Sequence, residues 1–126
     1  NNLLIKMDWN YLSRFHKNPP TVQLKRHPYV QQQYNATRLA SNNYVDSLEQ
    51  SLFGDNSVDW VLNENKFPYH FTDNTKHYVY WSKNPIIETD MVNKLNKLNK
   101  EYIYFENTPD NKSIPSIYHY HIFFRS

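Results

Sequence analysis

The sequence predicts an α+β fold, with N-terminal helices packed on a small antiparallel sheet formed mainly by the C-terminal half. Three observations lead there. Helical spacing of apolar residues comes first along the chain, strand-like aromatic alternation comes later, and the links between segments are short. A length of 126 residues suits one domain, taken as residues 1–126, and allows one sizeable core but not two.

Each element has its own signal. Pro19-Pro20 breaks the chain after Leu12-Ser13-Arg14-Phe15. Pro28 suits the first turn of a helix carrying Tyr29, Val30 and Tyr34. Ser41 is the expected N-cap of a second helix in which Tyr44, Val45, Leu48 and Leu52 share a face, with Gly54 as a left-handed stop. Val58-Asp59-Trp60-Val61-Leu62 reads as a strand, and His77 through Ser82, bounded by Asn74 and Pro85, reads as another. Thr89 is the expected cap of a short helix with Met91, Leu95 and Leu98 on one face and Lys94, Lys97 and Lys100 toward water. Glu101–Phe105 and Ile117–Phe124 complete the sheet, separated by an Asn-Thr-Pro-Asp-Asn loop.

Composition excludes several classes of function. A net charge of +2 is too small for a partner selected by bulk charge, which disfavours nucleic acid. Without Cys there is no disulfide framework, Cys-ligated zinc, iron–sulfur cluster or thiol catalysis. One Gly cannot build a Gly-rich phosphate loop, so dinucleotide and P-loop folds are excluded. No apolar run is long enough to span a membrane and no secretory signal is present, so the expected location is cytoplasmic. The sequons at Asn35 and Asn111 read as accidents of abundant Asn. The motifs of Ser hydrolases and zinc proteases are missing.

The last strand carries the sharpest chemical signal. Alternation places His119, His121, Phe123 and Arg125 on one side and Tyr118, Tyr120, Ile122 and Phe124 on the other. Two imidazoles and a guanidinium are costly to bury unpaired. If the Tyr/Ile/Phe side packs on the helices, the His/Arg side lines a groove or an open sheet surface, joined by His77 and Trp81 from the earlier strand. Four readings follow from these residues. His77, His119 and His121 could ligate a metal, although no carboxylate lies beside them. Arg and His together suit a phosphate ester, with Trp81 and Tyr stacking on a sugar or base. Aromatics and Lys could serve a nucleic acid. The plain alternative is a polar sheet face whose histidines bond backbone carbonyls, and it weighs as much as the functional readings together.

In the order and spacing of blocks running from Tyr11-Leu12-Ser13-Arg14 through Phe67-Pro68-Tyr69 to His119–Arg125, the chain resembles the N-acetylglucosamine-induced protein family, a domain family of unknown biochemical function found in fungi, with relatives in large DNA viruses. Tyr11-Leu12-Ser13-Arg14 is similar to its early Leu-x-Arg element, and Tyr34 through Tyr44-Val45 to its Tyr-rich helical segment. Phe67-Pro68-Tyr69 and His77-Tyr78-Val79-Tyr80-Trp81-Ser82-Lys83 resemble its Pro-Tyr and His-x-x-x-Trp block. Phe105-Glu106-Asn107, Ser113-Ile114-Pro115 and His119–Arg125 resemble its closing segments. Two departures are the missing Tyr-Gly-Ser and the Asn107-Thr108-Pro109 that stands for Asn-Pro. The resemblance implies a cytosolic protein tied to amino-sugar metabolism or response. The closing strand is also similar to the histidine-triad motif, but Ile117 and Phe123 occupy the flanking alternate positions.

The expected function is therefore binding of an anionic small molecule, with a phosphorylated or nucleotide-linked amino sugar as first candidate. His77, Trp81, His119, His121 and Arg125 form the expected site, with Arg125 holding the anion and Trp81 stacking on the sugar. No cofactor is expected. The alternatives are a non-catalytic protein-interaction module and a metal-dependent or histidine-based phosphoesterase. These residues do not decide between binding and catalysis.

Overall fold

In the computed structural model, which describes residues 6–125, an antiparallel sheet of four strands is covered on both faces. The strands are β1 (Trp60–Glu64), β2 (Lys76–Ser82), β3 (Tyr102–Phe105) and β4 (Tyr118–Phe124), in the order β1-β2-β4-β3. The long aromatic strands β2 and β4 form its centre, with Val79 opposite His121 and Trp81 opposite His119. The helices are α1 (Trp9–Leu12), α2 (Pro28–Ala40), α3 (Tyr44–Phe53) and α4 (Glu88–Asn96). No described helix is long and apolar enough to cross a membrane.

The two faces carry different layers. One face presents Tyr80, Tyr104, Ile122 and Phe124 to Met91 and Leu95 of α4. The opposite face holds two apolar clusters, one at each end. Trp9, Leu12, Leu24 and Tyr69 pack on Ile103, Phe105 and Phe123 at one end. Phe53, Ile114 and Ile117, with Leu48 and Leu52 of α3, pack on Val61 and Trp81 at the other. His119 and His121 lie between Ile117 and Phe123, in the middle of this face. The sequence reading left the histidine face open; the N-terminal segment and α3 cover it, because the chain supplies helices to both sides of the sheet.

The helix ends differ from their sequence signals. The expected cap Ser41 closes α2, and α3 starts at Tyr44 after Asn43. Gly54 is right-handed at φ −62°, and the left-handed turn falls on Asn56 at φ 57°. What Gly54 provides is space, since an added Cβ would collide with the Gln50 carbonyl oxygen. Helix α4 begins at Glu88 rather than after Thr89 and ends at Asn96, which leaves Leu98 exposed. Lys94 does not simply face water: its ammonium lies 4.5 Å from the Trp60 ring and bonds the Tyr80 hydroxyl at 2.9 Å.

Candidate functional site

Between the two apolar clusters, under α2 and α3, the sheet carries a cavity of about 570 Å³. That volume lies within the range of sites for small organic molecules. Its floor is Val79, Trp81, His119 and His121, and its rim includes Glu64 and Lys66. Arg26, Tyr34, Tyr44 and Leu48 form the helical side.

The two imidazoles of β4 have different surroundings. His119 Nδ1 is 2.7 Å from the Ile117 carbonyl oxygen, an acceptor, so Nδ1 carries the proton and Nε2 keeps its lone pair. Nε2 has no hydrogen bond among the described residues. No buried side-chain nitrogen or oxygen lacks a partner there, so Nε2 is reached from the cavity. Burial lowers the His119 pKa, partly offset by the Ile117 bond, and the ring is a neutral acceptor at pH 7. Trp81 is tilted against it with centroids 5.0 Å apart.

His121 belongs to a buried chain of polar groups. His77 Nδ1 accepts the Tyr69 backbone N–H at 3.1 Å, which places the His77 proton on Nε2. That N–H donates to His121 Nδ1 at 2.8 Å; Asn65 Nδ2, at 3.4 Å, is too distant to compete. His121 Nε2 then bears a proton and faces the Asn107 amide at 3.0 Å. An amide nitrogen there would set donor against donor, so the orientation that satisfies the chain presents Oδ1. The Tyr69 hydroxyl, 3.3 Å from the same amide end, donates to that oxygen too. Burial holds the pKa of His77 and of His121 well below the ordinary value, and raises that of Tyr69.

The structure divides the five expected residues. Trp81, His119 and His121 line the cavity together. His77 shares their face but is sealed under Tyr69 and Phe123, only 2% exposed, and supports His121 from behind. Arg125 stands apart. Six residues beyond His119 on an extended strand is roughly 20 Å, and its guanidinium lies beside Glu101, at 3.6 Å, and over Trp9. Shared strand parity put Arg125 on the right face, but strand length carries it past the cavity.

The cavity's guanidinium is Arg26, which sequence reasoning missed. It lies just before α2, 4.4 Å from the Tyr34 ring, with Nε bonded to the Phe67 carbonyl at 2.7 Å and Nη1 to Gln31 at 3.3 Å. Guanidinium has five N–H donors, so others remain for a ligand. Its only sequence signal was a cation preceding the Pro28 helix start. The metal triad does not form: His77 and His121 direct their nitrogens at each other, and no described group of three His, Cys, Asp or Glu residues could hold an ion.

Comparison with known proteins supports the fold and leaves the chemistry open. A solved structure titled "Crystal Structure of HTC1" superposes with a TM-score of 0.64 at 18% identity, covering 82% of this chain and 76% of that one. At that identity the likeness concerns the fold alone. No functionally curated protein matches. The profile of a family described as "Protein of unknown function (DUF3605)" matches residues 12–101, a span that includes Arg26, His77 and Trp81 and stops before β4. The chain belongs to the DUF3605 family.

Proposed function

We propose that the cavity binds a small anionic molecule rich in hydroxyl groups. The observation that carries this reading is the convergence of Arg26, Trp81 and the unprotonated Nε2 of His119 on one cavity. Each group suits a different part of such a ligand. Arg26 offers N–H donors to phosphate oxygens. His119 accepts from a hydroxyl, and Trp81 offers an apolar ring face to a sugar. Lys66 at the rim adds positive charge. A phosphorylated or nucleotide-linked amino sugar meets all three requirements. The resemblance to the N-acetylglucosamine-induced family supports the same choice.

A thermal-shift panel tests the proposal. A phosphorylated N-acetylhexosamine raises the melting temperature by mass action, and the neutral sugar does so less or not at all. Arg26→Gln loses the shift, while Arg125→Lys keeps it. A panel of sugar phosphates and nucleotides with no shift in the wild type rejects the reading. A shift lost in Arg125→Lys but kept in Arg26→Gln moves the site to the other end of β4.

A further inference from the structure

The two edges of the sheet are treated differently. At the β3 edge, the Glu101 carbonyl accepts from Arg125 N–H of the β4 side, so Glu101, Ile103 and Phe105 point their backbone groups inward and Tyr102 and Tyr104 point outward. The second of these is covered: Tyr104 N–H donates to His16 Nδ1 at 3.1 Å and its carbonyl accepts from Lys17 N–H at 2.8 Å. At the β1 edge, Lys83 N–H donates to the Asp59 carbonyl and Asn65 N–H to the His77 carbonyl. Those two bonds fix the parity of β1. Val61 and Asn63 bond to β2, and the N–H and C=O of Trp60, Leu62 and Glu64 point away from the sheet. None of these outward groups has a hydrogen-bond partner among the described residues.

We propose that the β1 edge pairs with the β1 edge of a second copy of this chain, antiparallel about a two-fold axis, to give a continuous sheet across a dimer. Self-complementarity selects a second copy as the occupant. Antiparallel pairing centred on Leu62 sets Leu62 beside its own symmetry mate and Trp60 beside Glu64 of the other copy. Trp60, Leu62 and Glu64 each donate and accept once across the new ladder. Like charges do not meet, which matters because facing carboxylates would oppose pairing. Charge complementarity strengthens the choice. Glu64 is in no ion pair among the described residues, and Lys94, which also bonds Asp90 at 2.9 Å, holds its ammonium 4.5 Å over the Trp60 ring. The pairing brings the incoming Glu64 alongside that ring, on the same face as Lys94. Trp60, 39% exposed in the monomer, is covered at the same time. A five-residue edge buries an area at the low end for specific interfaces, so the association is of micromolar strength or weaker.

Sedimentation equilibrium across the micromolar to millimolar range tests this. The mass rises toward that of a dimer with concentration, and Leu62→Pro, which removes the central outward N–H, abolishes the rise. Glu64→Lys and Lys94→Glu each weaken dimerisation at least tenfold, and combining them in one chain restores it. Circular dichroism checks that every variant folds; if Leu62→Pro does not, the charge exchange alone decides. A chain that stays monomeric throughout, or a dimer indifferent to Glu64→Lys and Lys94→Glu, overturns the proposal.

Discussion

The buried His77–His121 pair makes stability depend on pH in a calculable way. Both rings are neutral in the folded chain, and burial holds both pKa values well below the 6.5 of an exposed imidazole. The unfolded chain therefore binds protons below pH 6.5 that the folded chain refuses, so stability falls as pH falls through that range. No such loss exists above it. At pH 5.5 an unfolded imidazole is about nine-tenths protonated, and the linkage for one refusing site is about 1.4 kcal/mol, or about 3 kcal/mol for the pair. Ordinary carboxylates titrate mostly at lower pH, which leaves the histidines to dominate this window. Three kcal/mol is a large part of the roughly 5–15 kcal/mol available to a domain. Urea unfolding at pH 7.5, 6.5 and 5.5 measures the effect. The midpoint falls only modestly over the first interval and steeply over the second. His77→Gln lowers stability at pH 7.5 and also flattens the pH slope by about one proton, a change that simple loss of packing would not cause. A wild-type midpoint that stays flat down to pH 5.5, or a slope unchanged in His77→Gln, refutes the neutral-pair reasoning.

Three further outcomes follow from the packing. Asn107→Leu strands the His121 N–H and the Tyr69 hydroxyl, and chemical denaturation shows a loss of about 2–4 kcal/mol from two unsatisfied buried donors. Met91→Ala, at a fully buried position of α4 against the tyrosine face, costs about 2–5 kcal/mol by the same assay. His16→Ala uncovers the β3 edge, and hydrogen exchange at the Tyr104 amide speeds up while exchange in β2 stays slow.

Period and composition made the sheet legible. The aromatic alternation of residues 77–82 and 117–124 placed both central strands and the shared face of His77, Trp81, His119 and His121. Helix starts were less legible, because Ser41 and Thr89 are locally good N-caps that tertiary packing did not use, whereas Gly54 does end α3, in a right-handed conformation. The site was half readable. Parity along one strand shows which residues share a face, but not how far along the strand a helix crosses it, and that crossing separates His119 from Arg125. Arg26 and Asn107 were invisible for a related reason. They come from irregular segments with no period, and only the fold brings them to the histidines. His16 and His27 also come from segments outside the sheet, and each accepts a backbone N–H, from Tyr104 and Tyr29.

The central claim is that His119 presents a bare Nε2 to a ligand cavity while His77 and His121 are committed to each other. Long-range proton–nitrogen correlation spectra of the histidine rings test it most directly, recorded at pH 7.5 with and without a phosphorylated N-acetylhexosamine. The account predicts an Nδ1–H tautomer for His119 and Nε2–H tautomers for His77 and His121. It further predicts that the ligand shifts His119 Nε2 and the Trp81 indole N–H and leaves His77 almost unmoved. An Nε2–H tautomer at His119, or ligand-induced shifts confined to Trp9 beside Arg125, would contradict it.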